Sequence, residues 1–221
     1  MGRTHLLFDL DGTLVDSLPD LAHALNLQLA EAGLGRLELA QVRLMIGDGA
    51  RKLVERAFAA AGQPALPDLE RAVARFIELY EDNPAQRTTV YPGVAGTLTH
   101  LKSLGMKLAV VTNKPQNATL RVLEGLGLGD LFDAVVGAGP SLALKPDPAP
   151  LKAALARMGG TDAQALMVGD NANDVAAAKA LGIPIIAVAY GYARVSPDKL
   201  GADLMIENFD DLPSALRWFP N

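Results

Sequence analysis

Apolar positions fall along this chain in two rhythms. Short, largely apolar runs recur at residues 5–8, 107–112, 134–137, 165–168 and 184–189, with a briefer one at 203–206. Runs of this length without polar alternation are expected of strands covered on both faces of a parallel sheet, and the last reads as an edge strand. Between them the apolar residues return every three or four positions, over 93–104, 115–126, 148–158 and 173–181. That is helical spacing. Pro115 stands near the first turn of one helix, where a missing N–H costs nothing, and Gly182 closes another. Strands alternating with helices of these lengths predict an α/β fold: a doubly wound, Rossmann-like core built on a parallel sheet.

One stretch breaks the alternation. From Ser17 to about Val90 the periodicity is helical throughout, over 18–32, 50–61 and 69–80, punctuated by glycines and by Pro64 and Pro67. The expectation is a core of residues 1–15 and 91–221 carrying an inserted all-helical cap of residues 16–90. An insertion at the C-terminal end of a strand lies over the edge where such sheets bind ligands, so it reads as a lid. A decoration that adds only stability is the plainer alternative.

Composition narrows the function classes. The 221 residues carry a net charge of −5 and no cysteine. Disulfides, thiolate chemistry and Cys-ligated zinc are excluded. His5, His23 and His100 show no paired-ligand spacing. The absence of a basic face argues against nucleic acid as a partner. There is neither a basic-then-apolar leader pattern nor an apolar stretch long enough to span a bilayer. The expectation is a cytoplasmic protein without a membrane partner, a monomer or a homodimer.

The chemistry collects at the strand ends. Asp9 and Asp11 follow the first run, in Phe8-Asp9-Leu10-Asp11-Gly12-Thr13. In β geometry residues i and i+2 share a face, so both carboxylates can address one ligand. Two close carboxylates repel, and a hard cation such as Mg²⁺ resolves the conflict. Thr112 and Asn113 follow the second run, Lys145 and Pro146 the third, and Gly169, Asp170, Asn171 and Asp174 the fourth. In a parallel sheet these ends share one edge. Carboxylates, an ammonium, a hydroxyl and glycine-rich backbone suit a phosphate held against Mg²⁺. One aspartate can attack phosphorus while the other moves protons. Lys145 adds positive charge, and the Thr112 hydroxyl and backbone N–H groups near Gly12 and Asn113 can bind phosphoryl oxygens.

Taken together, these segments resemble the haloacid dehalogenase superfamily of phosphohydrolases. The stretch from Asp9 to Ser17, Val111-Thr112-Asn113, Lys145-Pro146 and the Gly169-Asp170-x-x-x-Asp174 pattern match its four motifs in order, across essentially the whole chain. The resemblance implies that Asp9 is the nucleophile and a metal ligand. It implies that Asp11 is the general acid/base and lends its carbonyl to the metal, that Asp170 is the third ligand, and that Asp174 orients Asp170 and metal-bound water. It gives Lys145 the task of tying Asp9 to the phosphate, and Thr112 and the Asn113 N–H that of binding phosphoryl oxygens. Asn171 stands where relatives often carry Ser. Relatives that cleave carbon–halogen bonds lack the second aspartate, so Asp11 favours phosphoryl transfer. Each residue also has a purely structural reading as a turn, a helix cap or an exposed loop. For Asp16 and Ser17, a helix cap with no catalytic part is the preferred reading.

The cap must supply selectivity. Gly47 and Gly49 precede a helix carrying Arg51 and Lys52, an arrangement able to hold the carboxylate of a small phosphorylated acid. This segment and Val188-Ala189-Tyr190-Gly191-Tyr192 resemble the phosphoglycolate phosphatase branch, which implies hydrolysis of 2-phosphoglycolate to glycolate and phosphate. A sugar-phosphate phosphatase, a β-phosphoglucomutase-like phosphomutase, a phosphonatase using Lys52 as a Schiff base and a non-enzymatic binding module are the alternatives.

Overall fold

A computed structural model describes residues 3–196 and 199–220. The outermost positions of the expected core ranges, Met1, Gly2 and Asn221, lie outside the described residues, as do Pro197 and Asp198. The chain runs β1 (His5–Phe8), β2 (Val15–Asp16), α1 (Leu18–Glu31), α2 (Leu39–Arg43), α3 (Gly49–Ala60), α4 (Leu69–Glu81) and β3 (Thr89–Val90). It continues α5 (Val94–Ser103), β4 (Lys107–Pro115), α6 (Gln116–Gly125), β5 (Ala134–Ala138), α7 (Ala149–Met158) and β6 (Ala165–Gly169). It ends α8 (Ala172–Leu181), β7 (Ile185–Val188), β8 (Leu204–Ile206) and α9 (Leu212–Ala215).

Six strands form one parallel sheet in the order β5-β4-β1-β6-β7-β8. This is the doubly wound α/β core that the apolar runs predict. Side chains alternate between its two faces because successive strand residues point opposite ways. Leu6, Phe8, Leu108, Val110, Leu166 and Val168 face the layer that holds α5, α6 and α9. Leu7, Ala109, Val111 and Met167 face α7 and α8. Phe8, fully buried on the central strand, packs against Phe132 and Phe209 with ring centroids 6.3 and 6.0 Å apart.

Several elements differ from the sequence expectation: the two-residue strands β2 and β3, at the ends of a stretch expected to be all-helical, and the short helix α9 are not among those it predicts. The second core strand runs to Pro115 instead of stopping at Thr112, because its pairing with β5 shifts register between Val111 and Pro115. Apolar patterning does not show an irregular strand end made of polar residues. The short helix α2 has a single buried side chain, Val42, too few for a periodic signal.

The helices α1 to α4 lie between β2 and β3, and α1 packs on each of the other three. Gln28 Nε2 donates to Ala72 O at 2.6 Å across α1 and α4. At the two connections Val15 pairs with Val90 and Asp16 with Thr89 in a small antiparallel ribbon. Buried Asp20, in the first turn of α1, braces the returning chain: it accepts from Arg87 N, Thr88 N and Thr88 Oγ1, each at 2.8 Å. No helix among the described residues is long and apolar enough to cross a membrane.

This brace gives a first expected outcome. Asp20→Ala strands buried donors at about 1–3 kcal/mol each. Urea unfolding should therefore show a loss of at least about 2 kcal/mol. A loss within about 0.5 kcal/mol, the level of an ordinary surface change, would show that the brace contributes nothing.

Candidate active site

The sheet sets the location. β1 sits between β4 and β6, and the chain runs outward to β5 before returning to β6 on the other side. Strand order reverses at β1, and such a switch point opens a crevice at the C-terminal strand ends. Asp9 follows β1 directly and donates its N–H to Val168 O at 3.0 Å, continuing the sheet by one bond. The turn behind it needs glycine. Gly12 has φ +91°, and a Cβ there would stand 2.5 Å from Asp170 Oδ2. The backbone of this turn thereby lies directly against the carboxylate that follows β6.

The residues expected from four separate stretches meet here. Lys145, buried in the loop before α7, reaches Asp9 Oδ1 at 2.9 Å, Asp174 Oδ1 at 2.6 Å and Val111 O at 2.6 Å. Asn113 fixes the backbone of that lysine in a two-way amide pair: Lys145 N donates to Asn113 Oδ1 at 2.8 Å, and Asn113 Nδ2 donates to Lys145 O at 2.9 Å. Asp170 accepts from Thr13 Oγ1 at 2.8 Å and from Tyr192 N at 2.6 Å. Asn171 caps α8, and its N–H donates to Asp174 Oδ2 at 3.0 Å. That cap fixes Asp174 as well as starting the helix. Thr112 Oγ1 accepts from Lys114 N at 3.2 Å.

Asp9, Asp170 and Asp174 each place a carboxylate oxygen within 4.8 Å of the others, all three buried. Hard oxygen donors at this spacing suit a divalent cation such as Mg²⁺. Asp170 lacks a cationic partner among the described residues, so the cluster has negative charge to spare. The electrostatics agree. Burial, helped by Asp174 and Asp11, pushes Asp9 up to about 6 against the pull of Lys145. Burial, then Asp9 and Asp174, raises Asp170 well above the usual carboxylate range. Burial opposes the charge on Lys145, but Asp174 and Asp9 outweigh it and hold the lysine above its ordinary pKa.

Asp11 is set apart from that cluster. Lys114 Nζ contacts its two oxygens at 2.9 and 3.1 Å, and Ser17 Oγ donates to Oδ1 at 2.6 Å. The Lys114 ammonium also stands 4.4 Å from the centroid of the Tyr80 ring, which comes from α4. Burial disfavours its charge, but Asp11 holds its pKa above the ordinary value. Sequence reasoning passed over Lys114. Its one signal was a charged residue at the end of an apolar run, beside two residues already singled out.

Ser17 corrects an expectation. It makes no capping bond to α1 and turns to Asp11 instead. Asp16 does accept from Leu18 N at 3.3 Å, and it also takes the Tyr192 hydroxyl at 2.6 Å.

The insert closes over these groups. Ile46, Gly47, Gly49, Ala50, Leu53 and Tyr80 join Asp9, Asp11, Thr112, Asn113 and Lys114 around a cavity of about 50 Å³. Gly47 O accepts from Asn113 Nδ2 at 3.1 Å and from Asn173 Nδ2 at 3.2 Å. Gly47 has φ +116°, and a Cβ there would stand 2.3 Å from Asn171 Nδ2, so any other residue is strained at position 47. Next to it Asp48 gathers Asn173 Nδ2 at 2.6 Å with Arg194 and Arg56, each at 2.5 Å. Arg43 reaches Gly191 O and lies over the Tyr192 ring. Arg51 and Lys52, expected as substrate contacts, stand elsewhere. Both are exposed on α3, where they pair with Glu70 and Glu55 and do not line the cavity. The helical turn that carries Gly49 and Ala50 to the cavity points these two side chains outward.

Comparison with known proteins shows the family of the chain. The sequence pattern of the haloacid dehalogenase-like hydrolase family matches residues 6–188. The chain is similar to a phosphoglycolate phosphatase of Caulobacter vibrioides, 46% identical over 95% of this chain and 89% of that protein. A phosphoglycolate phosphatase of Rhodospirillum rubrum is also 46% identical, over 96% and 89% of the two chains. The crystal structure of a predicted phosphoglycolate phosphatase from Haemophilus somnus 129pt superposes with a TM-score of 0.90 at 33% identity, covering 96% and 97%.

The charge balance gives a second expected outcome. Below about pH 6 Asp9 holds a proton that competes with a cation; above it Asp9 is ionised, and that buried charge costs stability. A divalent cation should therefore raise the thermal midpoint more at about pH 7.5 than at about pH 5. Asp170→Ala should abolish most of that rise. An equal rise in the variant would place the cation elsewhere.

Proposed function

The chain belongs to the haloacid dehalogenase-like hydrolase family, and we propose that it is a Mg²⁺-dependent phosphomonoesterase that hydrolyses 2-phosphoglycolate to glycolate and phosphate. One observation carries the reading. Asp9 and Asp11 both line the cavity, yet they have different partners: Lys145 for Asp9, and Lys114 with Ser17 for Asp11. Two carboxylates in different settings can perform different tasks. The names of the curated relatives support the substrate.

In this reading Asp9 attacks phosphorus in line and becomes an aspartyl-phosphate. The bond from phosphorus to the ester oxygen breaks, and Asp11, protonated at this step, gives its proton to the departing alkoxide. Asp11 then takes a proton from water as that water attacks phosphorus, which releases phosphate and restores Asp9. Lys145 holds Asp9 in place and offsets charge on the phosphoryl group. The Thr112 hydroxyl and the Asn113 N–H bind phosphoryl oxygens; the Gly12 N–H, expected to do the same, is given instead to Val15 O at 2.9 Å, and Gly12 does not line the cavity. Asp9, Asp170 and the Asp11 carbonyl would hold Mg²⁺, with Asp174 orienting Asp170. When bound, the ion offsets the repulsion between an anionic nucleophile and an anionic phosphate.

Residues 16–90 act as the cap on a core of residues 1–15 and 91–221. The cap excludes water and limits substrate size. Lys52, on the surface, gives no support to a Schiff-base mechanism.

Phosphate release from a panel of metabolites with Mg²⁺, including 2-phosphoglycolate and hexose phosphates, tests the substrate. 2-Phosphoglycolate should lead in kcat/KM, and a hexose phosphate in that place would overturn the assignment. Asp9→Asn should lower kcat by at least about 10³-fold with the fold intact. Substantial turnover in that variant would remove Asp9 as the nucleophile. Asp11→Asn should cost about 10²–10⁴-fold in kcat. Wild-type rates there would assign proton transfer to another group.

A further inference from the structure

The wall of the cavity divides by chemistry. The insert contributes apolar side chains, among them Leu21, Ile46, Leu53, Phe76 and Ile77. The core contributes Asp9, Asp11, Thr112, Asn113 and Lys114. Lys114 is the one cationic residue among those lining the cavity. Its side chain is 3% exposed, and its ammonium meets the two oxygens of Asp11 and the face of the Tyr80 ring. An ammonium has three N–H donors and Asp11 takes two of them; an aromatic face is a weak further partner. The cations of the cap, Arg51 and Lys52, are turned to the surface.

A second anion on a substrate therefore meets positive charge at one place. We propose that Lys114 is a specificity-determining residue whose ammonium receives the carboxylate of a small phosphorylated acid while the phosphoryl group lies against Asp9. This rests on the phosphomonoesterase reading and deepens it, assigning the substrate class to a residue of the core instead of the cap.

The spacing follows from the residue that the two sites share. Asp11 must approach the ester oxygen closely enough to protonate it, and Asp11 lies 2.9 Å from Lys114. The ester oxygen and Lys114 are thus both neighbours of Asp11. A carboxylate separated from the ester oxygen by one carbon reaches the ammonium; one on a long chain runs into the apolar wall. An ester with an uncharged tail leaves Lys114 to Asp11 alone. Tyr80 sits above the ammonium on α4, so closing the insert also shields this ion pair from water, where it would be weaker.

The test compares 2-phosphoglycolate with ethyl phosphate, which lacks the carboxylate, on the full-length protein with Mg²⁺. The wild type should favour 2-phosphoglycolate in kcat/KM by at least about tenfold. In Lys114→Met that preference should fall by about 10- to 100-fold, chiefly through KM, because a charge-assisted contact has been removed. Lys114→Arg should restore part of it. Lys114→Met also frees Asp11 of its partner, so activity falls on both esters and the ratio between them is the readout. An unchanged ratio in the variant, with parallel losses on both esters, would overturn the inference and leave Lys114 as a positioning residue for Asp11. A wild type indifferent to the carboxylate would overturn it without any variant. Failure to hydrolyse any phosphate ester is a separate result, which removes the phosphatase reading itself.

Discussion

Four carboxylates, Asp9, Asp11, Asp170 and Asp174, converge on one cleft, and two ammonium groups, Lys114 and Lys145, pair with them. Uncompensated charge in a buried place is costly, and the surplus here is of the size that one divalent cation neutralises. Much of the local architecture answers that constraint. Gly12 lets the turn after β1 approach Asp170, and Thr13 and the Tyr192 N–H hold that residue with neutral donors. The Asn113 amide fixes the Lys145 backbone, so that its ammonium can serve Asp9 and Asp174 together. The supports come from the turn after β1, from the end of β4 and from the turn after β7, which is why the constellation needs a sheet whose order reverses at β1.

The insert and the core divide the work. Core loops bring the charged groups, and the insert brings apolar surface that keeps water away from them. Beside the buried contact of Tyr80 with Lys114, polar bonds join the two at the rim. Gly47 O is shared by Asn113 and Asn173, and Asp48 draws together Asn173, Arg56 and Arg194. Bonds of this kind are individually weak at a partly exposed edge.

The sheet was legible in the sequence because strands buried on both faces leave unbroken apolar runs. Asp9, Thr112 and Asp170 were legible because each stands at the end of such a run; Lys145, beyond a loop of small residues, was legible through its match to the third motif. Side-chain direction was not. Arg51 and Lys52 lie beside the glycine turn that lines the cavity, yet the helix turns them outward to Glu70 and Glu55. Ser17 has the position and chemistry of a helix cap, but a carboxylate six residues back accepts its hydrogen bond instead. Lys114 carried no sign of its burial, which comes from the irregular end of β4 and the Tyr80 ring brought by α4. Each of these depends on a contact between residues distant in sequence or on the rotation of one helix, and local periodicity carries neither.

The ribbon of β2 and β3 has a consequence for how this architecture can change over time. Val15 and Val90 are cross-strand partners, so the chain leaves the sheet and returns to it at nearly the same point, about 5 Å apart. A hairpin turn of two residues could bridge that gap. The pairing of β1 with β4 and β6 does not pass through the insert. The seventy or so residues between are therefore a cassette: they can be lengthened, shortened or exchanged for another set of helices while the strand-end groups keep their positions. Selection can rework the roof of the cleft at one junction and leave its floor untouched.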